Sequence, residues 1–408
     1  MKIPKAAFGR NRSYDRNTTD GKAIPRMKKF LFCLHPWDGF AIRGNYLRAA
    51  GRSHTHRLYT PQNSRKTLIH RMQALLLSLL LGPLTAEQFT ASQFQQRCLK
   101  TANRAEASDQ FVIKGRGGWY YLTKELRHLG IGQFWGEDAT KVSRATKPKY
   151  ADPLPAILDF NKNLKALGIH LIVLPVPPKV SINPEGIGIE TKGRLDTTNA
   201  TFLALLNKKG VDVIDLTPVF QERSGTGDLL YCKTDSHWSG AGCLIAAKET
   251  AKKLLRQEWL NRMHRRAYRK NLKKVMITGD LVSDQNDAPG EALKLTFITS
   301  KPDTPVEPHD ESPVILLGDS HTLVFHSGQD MHATGAGLPD LLASELGTPV
   351  ALIGVRGSGA TAARISLYRK AKANPDYLKG KKALVWCFSA REFTESPGGW
   401  RVVPVVKK

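Results

Sequence analysis

The chain has 408 residues and 41% hydrophobic content, enough to bury one large core or two smaller ones, which excludes wholesale disorder. Its 61 Lys and Arg against 36 Asp and Glu give a formal net charge of +25, a balance that suits an acidic polymer, a membrane surface or solubility alone. Much of that charge lies at the start: residues 1–71 carry 16 Lys and Arg against 3 Asp and Glu, and setting them aside leaves about +12. With scattered aromatics and little periodicity, 1–71 reads as a disordered extension or the product of an upstream start-site assignment rather than a nucleic-acid arm. No nucleic-acid partner is expected. The only long apolar run, residues 74–84, follows basic residues and precedes Thr85-Ala86-Glu87. It falls short of the roughly 20 residues that span a bilayer and reads as the core of a signal peptide over 72–86. Export to the periplasm is expected, by cleavage near Ala86 or with the uncleaved leader as an inner-membrane anchor, leaving a single domain over 87–408.

The stretch up to about Gln110 is polar and carries no expected element. Phe111-Val112-Ile113 and Gly117-Gly118-Trp119-Tyr120-Tyr121 read as two strands around a glycine-rich turn. Residues 153–167 show helical spacing and lead into the continuous apolar strand His170-Leu171-Ile172-Val173-Leu174. A helix near 198–207 and a strand over 211–216 repeat the alternation. A polar loop over 231–238 precedes a helix from about Ser239, expected to run through Lys252-Lys253 into the basic stretch 262–274. Ten Lys and Arg lie between Lys252 and Lys274, either a solvated face or a seat for a polyanion or an acidic lipid headgroup, so membrane-surface association is conceivable. The interval 283–312 is acidic and proline-containing, and reads as a loop-rich insertion with one strand at 293–298. Pro313-Val314-Ile315-Leu316-Leu317 is a short buried strand with a helix starting at His321 to Phe325. Runs 350–355 and 383–388 are two more buried strands, separated by a helix near 360–373. Continuous apolar strands alternating with helices give an α/β fold with a largely parallel sheet, whose ligands bind outside the strand C-termini.

Two polar clusters fall at such positions: Thr234-Asp235-Ser236-His237-Trp238 and Gly318-Asp319-Ser320-His321. Gly318-Asp319-Ser320 forms a tight turn after a buried strand, which projects a serine hydroxyl near backbone N–H groups able to face an oxyanion. Ser320 is the expected nucleophile. A serine hydroxyl needs a base held in one tautomer by a carboxylate, and the Asp-x-His spacing lets Asp235 and His237 supply both. His321, as the immediate neighbour of Ser320, is expected to cap or pack, and Ser236 to shape its loop. The paired Asp-Ser-His tripeptides also suit a metal, but no His-x-x-x-His, Cys-x-x-Cys or further carboxylate cluster accompanies them, and neither a metal nor a cofactor is expected. Cys98, Cys232, Cys243 and Cys387 permit up to two disulfides in an exported domain, although Cys387 sits in an apolar run that suits a buried thiol.

Gly118-Trp119-Tyr120-Tyr121, Glu125-Leu126-Arg127-His128-Leu129, Phe134-Trp135-Gly136, Pro175-Val176-Pro177-Pro178-Lys179, the two polar clusters, and Trp386 followed by Arg391-Glu392 succeed one another in a fixed order over about 98–395. In this order the chain resembles the alginate O-acetyltransferase family, the AlgJ and AlgX group. The resemblance implies an SGNH-hydrolase-like three-layer sandwich with the Asp-x-His motif ahead of the serine. It also implies a periplasmic acyltransferase that takes acetyl through a membrane-bound O-acyltransferase partner and places it on a polysaccharide hydroxyl. Carried over by motif position, Ser320 forms the acetyl-enzyme, His237 moves the proton and Asp235 orients His237. For the oxyanion, the N–H of Ser320 and the turn around Gly357 are the candidates; Arg391 is a candidate for holding substrate. Trp119, Tyr120, Trp135 and Trp238 are candidates for stacking on sugar, with core packing the alternative for each. The carbohydrate-binding module of the AlgX type has no counterpart after the last strand, and the SGNH asparagine block has no clear match. A carbohydrate esterase on the same triad and a non-catalytic polyanion-binding protein are the alternative readings.

Overall fold

The computed structural model describes residues 89–407 except 191, 192 and 303; the basic stretch 1–71, the expected leader 72–86 and Cys33 lie outside them. The first element is a helix where none was expected, α1, Ala91–Glu106. As a string it is polar, yet Phe94, Cys98, Ala102 and Ala105 recur at helical spacing and are buried. Thr90 opens it with a capping box, accepting the Gln93 N–H while the Gln93 side chain accepts the Thr90 N–H. A hairpin follows, β1 (Val112–Lys114) antiparallel to β2 (Tyr120–Leu122), and then α2 (Thr123–Gly130). Helix α2 lies so close to α1 that a Cβ on Gly130 would sit 2.6 Å from the Leu99 backbone.

The main domain then alternates. Helix α3 (Pro153–Ala166) starts on Asp152, whose carboxylate accepts the Leu154 N–H, with Pro153 in the first turn. It leads into β3 (His170–Val176), α4 (Thr197–Lys208) and β4 (Asp212–Val213). Strand β4 is shorter than the expected 211–216 because the chain turns into the helix Thr217–Arg223. Helix α5 (Gly240–Leu254) begins on Ser239, whose Oγ accepts the Ala241 and Gly242 N–H groups. After it come β5 (Arg269–Thr278), β6 (Gly290–Lys301) and β7 (Thr304–Pro305), then β8 (Val314–Gly318), α6 (Leu338–Leu346), β9 (Ala351–Gly354), α7 (Thr361–Ala373) and β10 (Ala383–Ser389).

Five strands form one parallel sheet in the order β4-β3-β10-β8-β9. Alternate residues of its central strands enter opposite cores. Ile172, Leu174, Val314, Leu316, Val385 and Cys387 face one layer with α1, α2, α5 and α6. Leu171, Val173, Ile315, Leu317, Leu384 and Trp386 face the other, with α3, α4 and α7. Burial on both faces explains the unbroken apolar runs, and the result is the expected three-layer sandwich.

The basic stretch departs from expectation. Residues 269–278 do not continue a helix; they are β5, the edge strand of a three-stranded antiparallel ribbon with β6 and β7. Its polar string follows from exposure, since Arg269 to Lys274 all face solvent. The neighbouring acidic interval is likewise no simple loop: β6 runs for 12 residues, with Leu293, Leu295 and Ile298 buried against the domain.

The disulfides that four cysteines would permit are not formed among the described residues. Cys98, Cys232, Cys243 and Cys387 are free and buried, and burial raises each thiol pKa. Alkylation of the denatured, unreduced protein should therefore label all four, and the melting temperature should be the same with and without a thiol reductant.

Candidate active site

Ser320 stands at the C-terminal end of β8. Strand β8 comes so close to β10 that a Cβ on Gly318 would meet the Cys387 carbonyl oxygen at 2.0 Å. The Asp319 N–H continues the pairing by donating to that carbonyl at 3.2 Å. The buried Asp319 carboxylate then shapes the turn. Its Oδ1 accepts the His321 N–H (2.9 Å) and Nδ1–H (3.1 Å), and its Oδ2 accepts the Ser389 N–H (2.7 Å). Burial alone would raise the Asp319 pKa, but the His321 charge and hydrogen bond, with the Ser389 N–H, bring it down to about 2. The expected helix after Ser320 is only a 3₁₀ turn, Ser320–Thr322. Phe325, at φ 61°, turns the chain out of helical conformation soon after.

Asp235 and His237 occupy the loop between Tyr231 and Trp238, which pair across an isolated bridge. Three groups clamp that loop: Lys179, which is buried, Glu291, which is half-buried, and Asp280, which is exposed. Lys179, 1% exposed and lying just past β3, donates its ammonium hydrogens to the carbonyls of Cys232 (2.8 Å), Lys233 (3.2 Å) and Asp235 (2.8 Å). Glu291, at the start of β6, accepts the N–H groups of Lys233 and Thr234 and the Thr234 hydroxyl. Asp280, two residues beyond β5, accepts the Ser236 N–H (2.6 Å) and hydroxyl (2.5 Å). The ribbon, whose second strand falls in the interval read as a loop-rich insertion, is thus part of the scaffold of this loop.

The three expected residues meet. Asp235 Oδ1 accepts the His237 Nδ1–H at 2.7 Å, and His237 Nε2 faces Ser320 Oγ at 2.7 Å. A carboxylate can only accept, so Nδ1 carries the proton and Nε2 is left free to accept the serine hydroxyl. Asp235 is fully buried, and its Oδ1 also accepts the His237 N–H, while Oδ2 accepts the Asp280 N–H (2.9 Å) and the His332 Nε2–H (2.7 Å). Burial would raise the Asp235 pKa, but His237 and His332 outweigh it and hold the carboxyl well below its ordinary range. Burial would lower the His237 pKa, but Asp235, then Asp280 and Asp319, outweigh it and raise the imidazole. Asp235, His237 and Asp280 bring potential metal ligands within 4.8 Å of one another. The Asp235 oxygens, however, are already committed to four N–H donors.

The remaining expected residues fare unevenly. Trp238 is 0% exposed, packed edge-on against His321, and offers no face to a sugar. Trp119 and Tyr120 are also buried, Trp119 beneath the ammonium groups of Lys179 and Lys233; Trp135 is half-buried against Phe134 and Phe202. Arg391 donates from Nη1 to Glu125 (3.1 Å) and to Ser389 Oγ (2.8 Å), an internal ion pair beside the sheet edge. Gly357 is exposed at φ 88°, a conformation that favours glycine. Its turn approaches the residue before Ser320 through Gly359, where a Cβ would meet the Asp319 Cβ at 3.0 Å. His321 packs at 4.8 Å from the His237 ring, and Ser236 is held by Asp280, as a packing and a loop-shaping residue should be. Lys179, Asp280, Glu291 and His332 were assigned no role from sequence. Lys179→Met should leave the Cys232 and Asp235 carbonyls without a donor, the Lys233 carbonyl keeping the Tyr120 N–H, and destabilise the fold by about 2 kcal/mol or more, measured by denaturant unfolding.

With this geometry in hand, comparisons place the chain among known proteins. A family model described as SGNH hydrolase-like domain, acetyltransferase AlgX, matches residues 112–390. The probable alginate O-acetylase AlgJ of Pseudomonas fluorescens is 27% identical over 224 residues, covering 52% of this chain and 53% of that protein. The probable alginate O-acetylase AlgJ of Pseudomonas aeruginosa is 25% identical over 138 residues, covering 34% and 31%. The chain thus spans about half or less of the length of these relatives. Among solved structures, the O-acetyltransferase domain of Pseudomonas putida AlgJ superposes with a TM-score of 0.51 at 19% identity, over 69% of this chain and 92% of that one, a likeness of fold. The match over most of the sandwich, from the first hairpin to the end of β10, shows that the chain belongs to the AlgX family of SGNH hydrolase-like acetyltransferase domains.

Proposed function

We propose that this protein is an O-acetyltransferase that carries an acetyl group on Ser320 and delivers it to a hydroxyl of an exported polysaccharide. The observation that carries the reading is the unbroken relay from Asp235 through His237 to Ser320, with both bonds at 2.7 Å. Membership of the acetyltransferase family and likeness to relatives named as alginate O-acetylases support it. In the acylation step His237 Nε2 takes the Ser320 proton as Oγ attacks the acetyl carbonyl, and the proton then passes to the departing group of the donor. In the second step the acceptor hydroxyl gives its proton to the same nitrogen, its oxygen takes the acetyl group, and Ser320 regains a proton. Asp235 keeps the imidazole in the required tautomer and balances its charge. The N–H groups of Ser320 and Gly357 are the oxyanion donors in this reading.

The reading places the enzyme in the periplasm, after export on the leader at 72–86, with a membrane-bound O-acyltransferase as the source of acetyl groups and an alginate-like or other exopolysaccharide as acceptor. No described helix is long and apolar enough to cross a membrane.

Exposure to an activated acetyl ester should give a single-acetyl adduct by intact mass. The adduct should vanish in Ser320→Ala and His237→Ala, with turnover falling about 10⁴-fold or more. Equal reactivity of wild type and Ser320→Ala would overturn the reading. Release of acetate alone in the presence of excess acceptor polymer would make the protein an esterase on the same residues.

The pH dependence follows from His237. It must be neutral to accept a proton, and its pKa is raised above the ordinary 6.5. Activity should therefore rise with pH through a midpoint above 6.5 and be lost as pH falls through it. Asp280 is one of the charges that raise His237, so Asp280→Asn should shift the acid limb of kcat/KM to lower pH.

A further inference from the structure

The outer oxygen of Asp235 is held by a residue that the relay itself does not require. His332 donates Nε2–H to Asp235 Oδ2 at 2.7 Å from 97 positions further along the chain. Its ring is largely buried, its side chain 11% exposed, and it lies near Phe325. The backbone that delivers it is unusual. Four non-glycine residues among those described have positive φ, and three of them, Phe325, Gln329 and His332, fall within eight positions just after the nucleophile. His332 itself sits at φ 70° and ψ −37°, and the Ala333 N–H donates to the Met331 carbonyl across it at 2.9 Å. That is a three-residue turn of the rare hand, a conformation costly for any residue with a side chain.

The surrounding loop is built to hold that conformation. The Phe325 N–H donates to Met331 O, the Gly328 N–H to Ala333 O and the Ala336 N–H to Phe325 O, while Phe325 and Met331 are buried in the core. Strain this well supported, ending in one bond to a buried catalytic carboxylate, points to function rather than to packing.

We propose that His332 is a positioning residue of the acyl-transfer site: it pins Oδ2 of Asp235, so that Oδ1 stays in line with His237 Nδ1, and it ties the segment after Ser320 to the loop that carries the base. This inference rests on the acyl-transfer reading above. The carboxylate torsion of an aspartate is broad, so a carboxylate held at one oxygen alone can swing. Here the Asp280 N–H and His332 fix the second oxygen from two different elements. The His332 bond also draws electron density from the carboxylate and so moderates its pull on His237. The other charged or titratable groups around the pair are Asp280, Asp319, His321, Arg391 and, on the carbonyl side of the loop, Lys179 and Glu291.

The test uses His332→Gly, which removes the imidazole and tolerates the backbone φ, and His332→Gln, whose amide can donate from the same reach. Both are compared with wild type and Ser320→Ala in the full chain. For Gly, turnover of an activated acetyl ester should fall about 10- to 100-fold with KM unchanged, less than the roughly 10⁴-fold expected when the triad aspartate is lost. Gln should recover most of that loss. The imidazole titration of His237, followed by NMR, should move to higher pH in Gly and return towards wild type in Gln. His332→Gly turning over within about twofold of wild type with an unmoved His237 midpoint would overturn the proposal. So would Gly and Gln variants equally impaired with that midpoint unmoved, which is the signature of a merely structural residue. If wild type and Ser320→Ala react alike, the acyl-transfer reading falls, and the His237 midpoint still decides whether His332 acts on the pair.

Discussion

A buried carboxylate is the constraint from which the rest of this site follows. Asp235 is fully buried, and a charge in that position is tolerable only when its oxygens are fully supplied with donors. Four N–H groups supply them, two from His237, one from Asp280 and one from His332. Each donor fixes a different part of the fold. The first two close the Asp-x-His loop on itself, the third attaches the loop to the β5–β6 ribbon, and the fourth attaches it to the segment after Ser320. Alignment of the Asp235–His237–Ser320 relay and fold therefore share the same hydrogen bonds.

The chain contains Asp-Ser-His twice, and both copies fold into the same local motif. In each, Oδ1 of the aspartate accepts the backbone N–H and the Nδ1–H of the histidine two residues on. What separates them is tertiary. In the first copy Asp280 occupies the serine and the histidine faces Ser320. In the second the serine projects from the strand end, while the histidine is packed under His237 and Trp238. The pKa directions diverge accordingly. Burial and neighbouring cations keep His321 low, whereas Asp235 and its acidic surroundings lift His237. One tripeptide has thus lent its histidine and the other its serine.

The sandwich was legible because each central strand is buried on both faces, which writes an unbroken apolar run into the sequence. The meeting of Ser320, His237 and Asp235 was legible because a strand-to-turn signal and a two-residue spacing are local. Helix α1 was missed for a different reason: its buried face is built from one phenylalanine, one cysteine and two alanines, too little apolar bulk to stand out, although Thr90 and Gln93 marked its start. Strand β5 was mistaken because an exposed lysine-rich segment carries no period that distinguishes helix from strand. His332, Asp280, Glu291 and Lys179 act on the loop from 44 to 97 positions away, and no spacing within a sequence window reports such contacts.

The β5–β6 ribbon has two ends of different character. Thr278 pairs with Gly290 where the strands meet the Asp235–His237 loop, and Asp280 and Glu291 stand beside that pair. At the other end Arg269 pairs with Thr299, and β5 there is wholly exposed. One end is thereby tied to the Asp235–His237 loop, while at the other β5 is held by its pairing with β6 and an ion pair from Lys270 to Glu345 (2.7 Å) at the surface. Over evolutionary time substitutions should accumulate towards the Arg269 end and be purged towards the Thr278 end, so that a single strand carries a gradient of permissible change.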